Sequence, residues 1–180
     1  AAKPNPVVVK LGMGAVRWML DNMFEGVDFN ADGFNAVRRA SRSGPLILIP
    51  CHKSHVDYLV ISYLMHRNNL PCPHTFAGAN LAFWPMGPIF RRVGAFFVRR
   101  SFTGAVFYAK VFSEYIHMLL EQGFNIEVFI EGTRSRNGKL LLPKLGMLSL
   151  LLNAIQDGAC RHVTFVPIYI GYDRVPEVGA

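Results

Sequence analysis

Five short apolar runs alternate along this chain with segments whose apolar residues recur every three or four positions, and that alternation constrains the fold more than any other feature. "LILIP" (46–50) is continuously apolar and follows the breaker Gly44-Pro45, as a strand buried on both faces would. "HTFAGA" (74–79), "AFFVRR" (95–100), "IEVFI" (126–130) and "VTFVPIYIGY" (163–172) read as further strands. Helices are expected at 7–24, 31–42, 56–67, 103–122 and 145–156. The fourth is the clearest, because Ala105, Tyr108, Ala109, Phe112, Tyr115, Ile116 and Leu119 form one stripe and Gly123 is placed to end it. "FWPMGPIFRRVG", punctuated by two prolines and two glycines, is expected as a loop or a broken short helix. Strands separated by helices predict an α/β fold, a central, largely parallel sheet covered by helices. With no repeat and no linker in view, a single domain across 1–180 is expected, with ligands outside the carboxyl ends of its strands.

Composition narrows the partners. Hydrophobic residues make up 51% of the chain and charged ones 17%, which excludes a disordered segment. A net charge of +7 favours an anionic partner: nucleic acid, anionic lipid or a phosphorylated small molecule. Cys51, Cys72 and Cys160 form no CxxC pair and are odd in number, pointing to a reduced, cytosolic compartment. The chain starts without Met and stops at "RVPEVGA", so a longer parent chain is expected. No secretory signal is visible. "VVVKLGMGAVRWML" is interrupted by Lys10 and Arg17, and "LLLPKLGMLSLLL" by Pro143 and Lys144, before either reaches the length of a membrane span. Lying on a bilayer stays open. Phe83, Trp84, Met86 and Phe90 beside Arg91 and Arg92 would suit an anionic membrane surface, although composition alone favours a place in the core.

Chemistry concentrates at three of the expected strand ends. "PCHKSHVDYL" follows the first strand directly. On one continuous helix His52 and Asp57 would stand about 140° apart. They converge only if His52 lies in the strand-to-helix turn and Asp57 in the first helical turn. An imidazole oriented by a carboxylate is a general base near neutral pH. Ser54 and Asp57 also have capping-box spacing, so Asp57 as a plain helix-start residue is the competing reading. A metal site would need further ligands with recognisable spacing, and none appears. Cys51 and His52 are strand neighbours that point apart, and Ser54 lacks a G-x-S-x-G setting.

The second strand end is "FIEGTRSRNGK" (129–139), where Glu131 and Gly132 precede Arg134, Arg136 and Lys139. Its glycine spacing, and Leu140 after Lys139, exclude a P-loop. Paired arginines still bind a phosphate dianion through charge-assisted bonds. Arg99 and Arg100 repeat the pattern at the end of "AFFVRR". Either cluster alone reads as a solvated basic rim. Both together with a His/Asp pair read as a site. Neither cluster is interleaved with aromatic stacking platforms and no nucleic-acid motif is present, so nucleic acid is not an expected partner.

These stretches carry a resemblance. "HKSHVD" has the H-x-x-x-x-D form of the glycerolipid acyltransferases, and "GAFFVRRSF", "FIEGTRSRNGK" and "VPIYIGYD" look like that superfamily's second, third and fourth blocks, in order. Over "GANLAFWPMGPIFRRVGAFFVRRSF" the chain is similar to the bacterial membrane-associated glycerol-3-phosphate acyltransferases, and the likeness runs over about 45–177. It implies that His52, oriented by Asp57, deprotonates the 1-hydroxyl of glycerol 3-phosphate for attack on acyl-CoA or acyl carrier protein, with no cofactor and no metal. It implies acceptor binding by Arg100 and Arg134, supported by Arg99 and Arg136, within a loop that also holds Gly132 and Ser135. Glu131 would position Arg134 or the acceptor's second hydroxyl, and Pro167 would shape the wall near the acyl donor. It also implies peripheral association with the cytoplasmic face of the inner membrane. Thr133 stands where the bacterial enzymes usually have Gly. "EGTRSR" is more like the mitochondrial glycerol-3-phosphate and peroxisomal dihydroxyacetone-phosphate enzymes, which keeps dihydroxyacetone phosphate open as the acceptor.

Overall fold

All five expected strands join one sheet, in the spatial order Ala95–Val98, His74–Gly78, Ile126–Glu127, Leu46–Pro50, Thr164–Ile168, and every pairing is parallel. The structure is a computed structural model and describes residues 2, 4–78, 84, 86–98, 104–135 and 137–173. Its elements are α1 (Pro6–Met23), α2 (Ala31–Ala40), β1 (Leu46–Pro50), α3 (Asp57–Arg67), β2 (His74–Gly78), α4 (Met86–Arg92), β3 (Ala95–Val98), α5 (Val106–Glu121), β4 (Ile126–Glu127), α6 (Leu145–Gln156) and β5 (Thr164–Ile168). Parallel neighbours cannot be joined by a hairpin, so a helix separates each strand from the next.

The continuous apolar run of β1 is explained by its place inside the sheet. Leu46 and Leu48 pack against Ile61 and Met65 of α3 on one face, while Ile47 packs against Ile116, Leu119 and Leu120 of α5 and Leu151 of α6 on the other. All three strand residues are buried to within 1%. The predicted α5 stripe is the face that enters this core: Phe112, Ile116 and Leu119 are buried. Gly123, at φ +75°, ends the helix, with Phe124 N–H donating to the Leu119 carbonyl at 3.0 Å. The two-proline stretch holds one short helix, α4.

Several boundaries fall short of expectation, each for a local reason. β4 keeps only two ladder residues, because after Val128 donates to the Leu48 carbonyl (2.9 Å) the chain turns away and Gly132 N–H closes onto Phe129 O (3.0 Å). β5 stops at Ile168 because the next bonds go to a side chain: Ile170 N–H donates to Cys51 Sγ at 3.1 Å. α2 ends at Ala40, two residues early, as Arg42 and Ser43 N–H groups tighten onto the carbonyls of Arg39 and Ala40. β2 is described to Gly78 and β3 to Val98, and the rest of each expected run lies outside the described residues. The carboxyl end of β1 is left flanked by two departing chains, the 128–135 loop and the 168–172 tail.

Candidate active site

The turn after β1 is built around one carboxylate. Asp57 opens α3 and is fully buried. Its Oδ2 accepts from Lys53 N–H (2.7 Å), Ser54 N–H (2.9 Å) and His52 Nδ1 (2.9 Å). Its Oδ1 accepts from the Tyr172 hydroxyl at 2.6 Å. The helix-start and base-orienting readings are therefore both realised, by the same oxygen. Burial pushes the Asp57 pKa up, but the bonds from His52, Tyr172, Ser54 and Lys53 outweigh it and hold the group below its ordinary value. An ionised carboxylate only accepts, so Nδ1 carries a proton, and in the neutral imidazole the lone pair is then on Nε2. The His52 side chain is 16% exposed and its ring lies 4.2 Å from that of Phe129, which leaves β4 at this point.

The loop after β4 grips the peptide of His52 from both sides. His52 N–H donates to Glu131 Oε1 (2.8 Å), and Ser135 N–H donates to the His52 carbonyl (2.8 Å). Glu131, 4% exposed, uses its other oxygen to accept from Leu141 N–H at 2.8 Å. Its described bonds are thus to main chain and not to the side chain of Arg134, one of the two partners expected for it. The carboxylate among the arginines ties the base-bearing turn to the basic loop. Gly132 sits at φ +68°, where a Cβ would come within 2.9 Å of Lys144 Cδ, so the sharp turn there requires glycine.

The neighbouring nucleophiles are not presented. The Cys51 thiol is buried, which pushes its pKa up, and Ser54 is fully buried with its Oγ accepting from Val56 N–H at 3.0 Å. Among the described residues no group of three or more His, Cys, Asp or Glu is arranged to hold a metal ion.

A His/Asp pair between a strand and a helix, its carboxylate buried and a basic loop bonded to its peptide, agrees with a match over most of the chain: the family described as Acyltransferase fits residues 33–171. This chain belongs to the acyltransferase family. It is 45% identical over 172 residues to a glycerol-3-phosphate acyltransferase of Aeromonas hydrophila subsp. hydrophila, covering 95% of this chain and 21% of that protein. Proteins of the same name from Shewanella loihica (44%) and Shewanella pealeana (45%) match over 179 residues, 99% of this chain and 22% of theirs. The chain thus spans about a fifth of the length of these curated relatives.

Within this acyltransferase domain, His52, Asp57, Glu131 and Ser135 are brought together by direct bonds. Arg134 is half-buried one residue before Ser135, and Gly132 lies in the same turn. Arg99, Arg100 and Arg136 lie outside the described residues. Pro167 is exposed on the edge strand β5 in register with Ile49, three residues before His52. An edge position suits a residue with no N–H to donate. Sequence reasoning missed Tyr172, and it missed Lys53, whose Nζ donates to Tyr169 Oη (2.9 Å) and stands 4.1 Å from that ring's centre. Both tyrosines lie in or beside "VPIYIGYD", but their role depends on β5 pairing with β1, a strand order that no local pattern encodes.

Proposed function

We propose that this domain transfers a fatty acyl group from acyl-CoA or acyl carrier protein to the sn-1 hydroxyl of glycerol 3-phosphate. The observation that carries the reading is the ionised, buried Asp57 bonded to His52 Nδ1, which leaves Nε2 as the proton acceptor. Nε2 removes the hydroxyl proton as the oxygen attacks the thioester carbonyl carbon. The tetrahedral intermediate collapses, the C–S bond breaks, and the thiolate leaves with the proton returned by the imidazolium. Asp57 stabilises that transient cation, and Tyr172 and the two N–H donors hold Asp57. Direct transfer fits a turn in which Cys51 and Ser54 are both buried.

Arg134 and, from the chain beyond β3, Arg99 and Arg100 take the acceptor phosphate, with Arg136 as further charge. This agrees with the net charge of +7. Glu131 acts through the His52 peptide, and holding the base in register with the phosphate loop supplies the positioning such a reaction depends on. Pro167 stays a candidate for the donor side. The product is a lipid, and the protein works peripherally at the cytoplasmic face of the inner membrane. Among the described residues no helix is long and apolar enough to cross a membrane. Thr133 keeps dihydroxyacetone phosphate as the alternative acceptor.

The full-length protein offered glycerol 3-phosphate, dihydroxyacetone phosphate or lysophosphatidate with one acyl-CoA tests this reading. The highest kcat/KM belongs to glycerol 3-phosphate. A preference for dihydroxyacetone phosphate replaces the acceptor, and turnover with none of the three overturns the enzyme in favour of a domain that only binds anions.

A further inference from the structure

Helix α1 has a surface that the active site does not use. It buries Met13, Val16 and Leu20, a single stripe, against α3. At about 100° per residue the row Lys10, Arg17, Asp21 lies next around the helix, and Val7, Leu11 and Trp18 beyond that row. These last three are 65%, 70% and 69% exposed, a continuous apolar stripe and not one stray side chain. Between the basic row and the last turn of α3 is a cleft of about 450 Å³, lined by Lys10, Arg17, Asp21, Tyr63, His66 and Arg67. Asp21 is engaged by Arg17 at 3.5 Å, which leaves Lys10 and Arg67 as surplus positive charge.

This cleft is separate from the His/Asp site. Asp57 begins α3 and Arg67 ends it, so about 15 Å of helix lies between them. The end of α1 nevertheless reaches toward the His/Asp site. Phe24, at the end of α1, packs 5.9 Å from Tyr172, whose hydroxyl holds Asp57. At the other end, Asn5 N–H donates to the Arg92 carbonyl (3.0 Å), which sets α4, with exposed Ile89 and Arg91, beside the start of α1.

We propose that this face of α1 rests on an anionic phospholipid surface, with a headgroup phosphate seated in the α1/α3 cleft. The proposal builds on the functional reading above, in which the product is a lipid. Charge and chemistry select the occupant. A stripe of valine, leucine and tryptophan beside a basic row is what an interfacial helix presents, the indole and aliphatic groups at the acyl boundary and the cations on headgroups. An acidic protein would meet the basic row and leave the Trp18 stripe in water. A free phosphate would have no use for the stripe at all.

The test uses the full-length protein, with flotation on phosphatidylcholine vesicles with and without phosphatidylglycerol, and quenching of tryptophan emission by brominated acyl chains. Lys10→Gln and Arg67→Gln change exposed residues, and each weakens binding to the anionic vesicles about five-fold. Quenching by brominated lipid falls in Trp18→Phe. Acyl transfer to glycerol 3-phosphate in detergent stays unchanged in all three, which separates failure of the docking surface from failure of the enzyme reading. Unchanged vesicle affinity in both charge variants with unchanged quenching in Trp18→Phe overturns the proposal. So does binding abolished by inorganic phosphate alone, which would make the cleft a free-anion site, or binding of an acidic carrier protein that the same variants abolish while vesicle binding persists.

Discussion

Replacing Glu131 by glutamine separates a structural clamp from an acceptor contact, and its cost can be worked from the bonds. The carboxylate accepts one main-chain N–H at each oxygen, from His52 and from Leu141, both at 2.8 Å. Glutamine retains one acceptor oxygen, and its amide group then faces the second N–H donor to donor. One charge-assisted bond is lost and a buried N–H is stranded, a cost of about 1.5–3 kcal/mol. At 4% exposure there is little solvent to relieve it. The same peptide carries His52, so if the full cost falls on the transition state, kcat drops about ten- to hundred-fold. Glu131→Gln should therefore lower the urea midpoint of the full-length protein and lower kcat, with the KM for glycerol 3-phosphate nearly unchanged. A variant as stable as wild type, with kcat intact and KM raised, would refute the clamp and return Glu131 to a contact with the acceptor hydroxyl.

Other perturbations probe the surrounding groups. Tyr172→Phe removes the 2.6 Å bond to Asp57 Oδ1 and should cost about 1.5–3 kcal/mol of stability and raise the Asp57 pKa, read as acid unfolding displaced to higher pH. Because the folded pKa of Asp57 lies below 3.8, its stabilisation is present above that value and lost as pH falls through the lower folded one, so Asp57→Asn should flatten acid unfolding. Glu127 is fully buried in the centre of the sheet, where desolvation raises its pKa to about 8. The folded state therefore keeps a proton that the unfolded chain releases above 4.5, and stability falls with rising pH between 4.5 and about 8. Glu127→Gln, which keeps an acceptor for the Thr75 hydroxyl, should remove that slope in thermal melts. Gly132→Ala forces a side chain into φ +68° and should cost about 1–2 kcal/mol, measured by denaturant unfolding.

The sequence disclosed those parts that local chemistry decides. The buried run "LILIP", the α5 stripe and the turn that brings His52 to Asp57 each follow from period, burial and spacing, and the structure holds them as β1, α5 and a 2.9 Å bond. What was not legible depends on strand order. β4 inserts between β1 and β2, and β5 closes on the far side of β1. Only that arrangement brings Tyr172 to Asp57 and Glu131 to the His52 peptide. Glu131 looked like a partner for its neighbouring arginines because sequence proximity is visible, whereas its partner 79 positions away is not. β4 looked longer because "IEVFI" stays apolar after leaving the ladder, and Phe129 spends that character on the His52 ring.

Whether His52 is the base for acyl transfer to a phosphorylated acceptor is decided by thiol release from palmitoyl-CoA in the full-length protein, with and without glycerol 3-phosphate, for wild type and His52→Ala. Release should require the acceptor and fall by roughly 10²–10⁴-fold in the variant, as for loss of a general base, while the variant's melting profile remains cooperative. Acceptor-dependent release that survives His52→Ala at the wild-type rate would contradict it.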